Sequence, residues 1–203
     1  MSSAICQASE ARSAHWLLDQ ARQLLAQRRL LEAARIYAQV VEQEPDCVEA
    51  LGQLGSLLFR LGQHEAALAS LQRAARLAPG WPKLHLLMGA VLRSLGRLQD
   101  SAACCEAAVR LGPEDADARY NLGLALQSLK RPAEAAESFR QAVKLRGDYV
   151  DAWAALGMAL RQTGEHVGAL EIFERVIELD PRCCDEIVRR WESFTGRQAS
   201  REG

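Results

Sequence analysis

The sequence predicts an all-α protein built from repeated helical hairpins, and three observations predict it. A Leu-Gly or Met-Gly pair recurs at a constant step of 34 residues, at Leu54-Gly55, Met88-Gly89, Leu122-Gly123 and Leu156-Gly157. Prolines keep the same beat at Pro45, Pro79, Pro113 and Pro181, with Gly147 where a fifth would fall. Within each period, apolar residues recur at helical spacing. Self-similarity at such a period marks a repeat architecture and outranks any local propensity. The predicted organisation is an N-terminal extension at 1–13, five repeats at 14–47, 48–81, 82–115, 116–149 and 150–183, a capping helix at 184–195 and a frayed tail at 196–203.

The unit from Val48 to Trp81 shows how one period works. Leu51, Leu54, Gly55 and Leu58 fall at i, i+3, i+4 and i+7, one face of a first helix. Gly62 ends it, as a glycine just past a last helical turn can. A second helix follows, with Glu65 in its first turn, where an acid suits the positive end of the helix dipole. Ala67, Leu71 and Ala74 form its inward stripe, and Pro79 closes the unit because proline cannot continue a helix interior. A glycine inside a helix costs about 1 kcal/mol against alanine, so its recurrence needs a packing reason. With Gly55 and Ala67 nearly bare, the two backbones are expected to approach closely. Gly89, Gly123, Gly157 and Ala21 stand at the corresponding place in the other units.

Large residue, Leu-Gly, Ala, a large apolar or aromatic residue and a closing Pro: this order resembles the tetratricopeptide repeat (TPR) family. The first unit carries Leu17, Gln20 and Ala21, then Ala33, Tyr37 and Pro45. The third departs furthest, with His85 as opener, Ser101 for Ala and Cys105 for the aromatic. In the fourth, Leu122-Gly123, Ala135, Phe139 and Ala142 match, but Arg119 replaces the apolar opener. The fifth fits best, with Trp153, Leu156-Gly157, Ala169, Phe173 and Pro181. The resemblance implies a right-handed superhelical α-solenoid of stacked antiparallel hairpins, each burying its neighbour's apolar edge. Such a stack needs ends. Ile187, Val188, Trp191 and Phe194 form an amphipathic stripe expected to cap the last hairpin, and Ile5 to Arg12 is expected to extend the first helix or fray.

Composition removes several function classes. A formal net charge of −1 predicts no general attraction to nucleic acid or an acidic membrane surface. No apolar run reaches the length of a membrane helix, so no membrane insertion is expected. The start, MSSAICQASEARSAHW, lacks the charged and apolar regions of a secretory signal, and the expected compartment is the cytoplasm. Six cysteines occur without any C-x-x-C, with Cys104-Cys105 and Cys183-Cys184 as adjacent pairs. They read as reduced thiols used as small hydrophobes rather than as a metal site.

No motif of catalysis is present: no phosphate-cradling glycine loop, no H-E-x-x-H and no G-x-S-x-G. His64 and His166 fall at equivalent turn positions, and His85 reads as a hydrogen-bonded, partly buried histidine. The expectation is a protein that is not an enzyme and needs no cofactor and no metal.

The resemblance places function on the concave face formed by the first helix of every hairpin. Along this sequence that stripe runs through Leu18, Asp19, Arg22 and Leu25, then Gln53, Ser56, Phe59 and Arg60. It continues through Lys83, Leu86, Leu87, Ala90 and Arg93, then Tyr120, Asn121, Leu124 and Gln127, and ends at Ala155, Met158 and Arg161. Its centre is apolar and its later helical turns are basic, so the complementary partner is a peptide or helix with acidic and apolar character. Asn121, just before Leu122-Gly123, occupies the place from which such proteins hold a ligand backbone through an amide. The lysine–asparagine set that grips a C-terminal carboxylate is not reproduced, because Leu18 and Arg22 stand in its place, which argues against a chaperone-tail adaptor.

The leading expectation is a protein–protein interaction module: adaptor, scaffold or substrate chaperone. Two others stand beside it. One is a self-assembling homo-oligomeric scaffold whose groove takes the N-terminal segment of another copy. The other is a substrate-recognition array serving a separate O-linked glycosyltransferase-like enzyme, since no catalytic domain fits after residue 183.

Overall fold

A computed structural model describes residues 2–183 of the chain. The expected capping helix and tail lie outside the described residues. Within them ten α-helices follow one another as five hairpins: α1 (Ser2–Ala26) with α2 (Leu30–Gln43), α3 (Val48–Arg60) with α4 (His64–Leu77), α5 (Pro82–Ser94) with α6 (Leu98–Leu111), α7 (Ala116–Ser128) with α8 (Pro132–Leu145), and α9 (Val150–Thr163) with α10 (His166–Leu179). A short 3-10 turn spans Pro181–Cys183. The helices group into two compact units, Met1–Pro113 with the first three hairpins and Glu114–Gly203 with the last two.

All five hairpins turn in one way. The N–H of Gly62 reaches the carbonyl of Phe59 and the N–H of Gln63 that of Leu58, the paired bonds of a Schellman cap. The same pair recurs at residues 28–29, 96–97, 130–131 and 164–165. This cap needs a left-handed backbone at its next-to-last residue. Gly62, Gly96 and Gly164 supply it at φ 77°, 73° and 87°, whereas Arg28 and Lys130 adopt φ 60° and 58° despite their side chains.

The recurring glycine does more than let two backbones approach. A Cβ on Gly123 would lie 2.5 Å from the Phe139 ring, and one on Gly157 would lie 2.7 Å from the Phe173 ring. Gly55 meets Leu71 and Gly89 meets Cys105 in the same way, at 2.6 and 2.5 Å. Each glycine is therefore a hole that receives one large side chain from the partner helix; at Gly55 and Gly89 a backbone oxygen, of Ala67 or Ser101, is also close, at 3.2 and 3.3 Å. Phe139, Leu71 and Cys105 are almost wholly buried there. Cys105 thus serves as a small hydrophobe, and burial first, then the neighbouring Cys104, pushes its thiol up to about 12. Cys47, Cys104 and Cys105 are free thiols.

Two departures from the repeat pattern have physical explanations. Ser101, where the pattern has alanine, is fully buried and donates its hydroxyl to the Gly89 carbonyl at 2.7 Å. His85, where the pattern has a large apolar opener, places Nε2 2.9 Å from the Pro79 carbonyl. A carbonyl only accepts, so this nitrogen carries the proton. Trp153, two periods later, donates its indole N–H to the Gly147 carbonyl at 2.8 Å. The property common to these openers is a ring N–H that satisfies a turn carbonyl, which a reading by apolar bulk misses.

Unit 1 has two apolar cores. Tyr37 and Val40 of α2 close the first between α1 and α3; Leu71 and Leu68 of α4 close the second between α3 and α5. Unit 2 has one continuous core centred on Phe139, Leu156 and Phe173.

Candidate functional site

In unit 1, α1, α3 and α5 each bring a stripe to the face the sequence marks for binding. On α1, Leu18 and Leu25 are half-buried against the first core. Arg22 is not a free cation. Its guanidinium contacts both Glu49 oxygens at 2.7 and 2.9 Å and the Asp19 carboxylate at 2.9 Å. Those two acids neutralise it, and its charge is largely spent inside the protein. Arg60 and Lys83 differ: both are exposed, and among the described residues neither forms an ion pair. Phe59 packs on the second core beside the His64 ring, at 5.5 Å between centroids, so His64 is a partly buried first residue of α4 rather than an exposed turn residue. Leu86, Ala90 and Arg93 are half-buried on α5.

Gln53, Ser56 and Leu87 come together. With Val48, Glu49, Gly52, Trp81, Lys83 and Leu84 they line a mostly apolar cleft of about 110 Å³ between α3 and α5. The sequence reading missed two of its key residues. Trp81 precedes α5 and is 53% exposed, a large indole left outside the core. Gly52 leaves the α3 wall of the cleft without a side chain. The available signal was the tryptophan itself, standing directly before the proline that starts a helix.

In unit 2, Tyr120, Leu124 and Met158 are half-buried and pack on the core, so their apolar surface is shared between the protein and the outside. The Tyr120 ring lies 5.8 Å from Phe139 and 5.0 Å from Tyr149. Asn121 Nδ2 donates to the Asp117 carbonyl one turn back, at 2.8 Å. Gln127 and Arg161 are half-buried at the ends of α7 and α9. Ala155, expected on this face, is instead 5% exposed and belongs to the core.

A polar network borders this surface that the sequence reading did not find. Arg146 meets both oxygens of Asp117 at 3.0 and 3.1 Å, and its guanidinium sits 4.5 Å from the centre of the Tyr149 ring. The Arg146 hydrogen bond holds the Asp117 carboxyl below its usual range. Burial, then the hydrogen bond to Asp117, raises the Tyr149 phenol, which stays protonated. The network's ion pair joins residues 29 apart in the chain and is not legible from local spacing.

Among the described residues no group of three His, Cys, Asp or Glu side chains is placed to hold a metal ion, and no helix is long and apolar enough to cross a membrane.

Sequential two-helix units, Schellman turns and knob-into-glycine packing define a helical-hairpin repeat protein. The family profile of the tetratricopeptide repeat matches residues 18–82, 86–149 and 125–182, and the chain belongs to that family. Among solved structures, MamA 41-end from Desulfovibrio magneticus RS-1 shares 27% identity, with a TM-score of 0.76 over 83% of this chain and 96% of that one. Another MamA crystal structure aligns at 21% identity and TM-score 0.74, over 86% and 96% of the two chains. YrrB, a TPR protein with an unusual peptide-binding site, aligns at 22% identity and TM-score 0.70, over 89% and 92%. At those lower identities the likeness is one of fold. A comparison with curated proteins finds no significant match.

Proposed function

We propose that this TPR scaffold binds a partner peptide or helix of acidic and apolar character on the first-helix faces of its hairpins. The observation that carries this reading is the cleft of unit 1, where half-buried apolar walls adjoin exposed cations that pair with no acid among the described residues. Contiguous apolar surface open to solvent marks binding sites, and uncompensated lysine and arginine select carboxylates. In unit 2 the half-buried Tyr120, Leu124 and Met158, with the Asn121 amide oxygen, unpaired among the described residues, support the same use: apolar contact plus one acceptor for a ligand backbone.

The test is a quantitative pull-down from the source cell with wild type, Leu87→Arg, Arg60→Glu and Asn121→Ala. Helical content by circular dichroism is matched first, and Arg60→Glu, on an exposed side chain, guards against loss of fold. The expected result is a partner retained by wild type and depleted in Leu87→Arg and Arg60→Glu. Equal recovery in all four would overturn the assignment to this face.

A further inference from the structure

In the cleft of unit 1 Gly52 leaves the α3 wall bare, with Leu84 Cδ2 3.2 Å from where its Cβ would stand, and unit 2 carries a ring at the corresponding position. Two periods of 34 carry Gly52 onto Tyr120 and Trp81 onto Tyr149. In unit 2 the Tyr120 ring lies against the Tyr149 ring, 5.0 Å between centroids and tilted by 46°. That is a favourable geometry for an aromatic pair. In unit 1 the glycine contributes no ring. Trp81, the counterpart of Tyr149, is left 53% exposed at the cleft, and among the described residues no ring or cation covers it.

Charge narrows the occupant further. Glu49 and Lys83 both line the cleft. Glu49 is engaged by Arg22 through both oxygens, so among the described residues Lys83 is the uncompensated charge of the cleft. The space, about 110 Å³, is far below the roughly 300–1,000 Å³ of a small-molecule or cofactor site and suits one side chain.

We propose that this cleft is an anchor pocket for one aromatic side chain of a peptide partner, seated against the Trp81 indole, with a neighbouring carboxylate of the partner paired to Lys83. The pocket rests on the peptide-binding reading above and specifies it. The protein's own Tyr120 is the template for the guest.

The experiment is an NMR titration of the full ¹⁵N-labelled chain with blocked pentapeptides, acetyl-Gly-Glu-Phe-Glu-Gly-amide and its versions with Leu or Ala for Phe and with Lys for both Glu. The Trp81 indole N–H signal is assigned by its absence in Trp81→Leu. The expected result is a saturable shift of that signal by the Phe peptide, with affinity about tenfold or more lower for the Ala version. Lys83→Glu should weaken the acidic peptide several-fold and favour the lysine version, with the difference shrinking as salt is raised. Trp81→Leu should remove the preference for Phe over Leu while the fold persists.

Equal affinity for the Phe, Leu and Ala versions would overturn the pocket, as would no shift of the Trp81 signal. If the same peptide instead moves signals around Tyr120 and Met158, the pocket falls and the broader reading stands. If Trp81 responds as expected while the pull-down partner survives Leu87→Arg and Arg60→Glu, the pocket stands and the assignment of that partner to this face falls. Concentration-dependent dimerisation abolished by Trp81→Leu would seat a second copy there and overturn the external peptide.

Discussion

Replacing Lys130 by glycine should stabilise this protein, and replacing Gly62 by alanine should destabilise it, although both changes act at the same turn of two hairpins. Lys130 is held at φ 58° and Gly62 at φ 77°. A residue with a Cβ pays about 1–2 kcal/mol in that region, and glycine loses about 0.4–1 kcal/mol more chain entropy on folding than alanine. A Cβ on Gly62 would meet nothing within 4 Å, so its alanine variant loses only the difference of those two terms, about 0–1.6 kcal/mol with a midpoint of about 0.8. Lys130 is exposed and, among the described residues, forms no ion pair, so Lys130→Gly should gain about the same amount. At this size that is about 2–4 °C in Tm per kcal/mol. Urea titration followed by circular dichroism reads it as a shift of midpoint with unchanged slope. A fall in stability for Lys130→Gly comparable to that of Gly62→Ala would refute the reasoning, since it would mean that the lysine side chain, and not the backbone angle, governs the turn.

Gly123→Ala should cost about 1–3 kcal/mol or more, because its new methyl would lie 2.5 Å from the fully buried Phe139 ring, whereas Gly80→Ala, with open space around it, should be near neutral; urea midpoints decide both. Asp117→Asn should flatten the acid limb of stability. The Arg146 hydrogen bond lowers the folded-state pKa of Asp117 below its ordinary 3.8, so the carboxylate stabilises above that pH and its contribution is lost as pH falls through the folded value. With both partners 44% exposed, the pair is worth at most about 1 kcal/mol. Melts of wild type and variant should therefore differ at pH 6 and converge as the pH is taken down through that folded value.

The repeat fold was legible because its signals are local and multiplied: a glycine at one phase, an alanine twelve residues on, a large side chain four further. Repetition made each of them stand out against chance. Helical period likewise put Leu87 of unit 1, and Tyr120 and Met158 of unit 2, on first-helix faces, where each is half-buried. What escaped depends on pairs that sequence distance does not reveal. Arg22 reads as a groove cation until Glu49, on the next hairpin, is seen to neutralise it. Arg28 and Lys130 hide a left-handed turn behind residues that do not announce one. His85 and Ser101 look like defects of the pattern and are polar substitutes with hydrogen bonds of their own. Trp81 escaped because it stands at a junction between helices, where helical periodicity says nothing.

The seating of one side chain in each glycine hole also bears on how the chain acquires its structure. Gly55 with Leu71, and Gly123 with Phe139, join residues only sixteen apart in sequence. Contacts so local cost little loop-closure entropy, and proteins dominated by them fold quickly. Each hairpin with such a hole holds a local contact of its own, and in a repeat array order can propagate outward from whichever closes first. The number of hairpins is then an adjustable quantity. Excising one whole period leaves every remaining hole with its knob, whereas excising a few residues fewer strands a ring without its glycine.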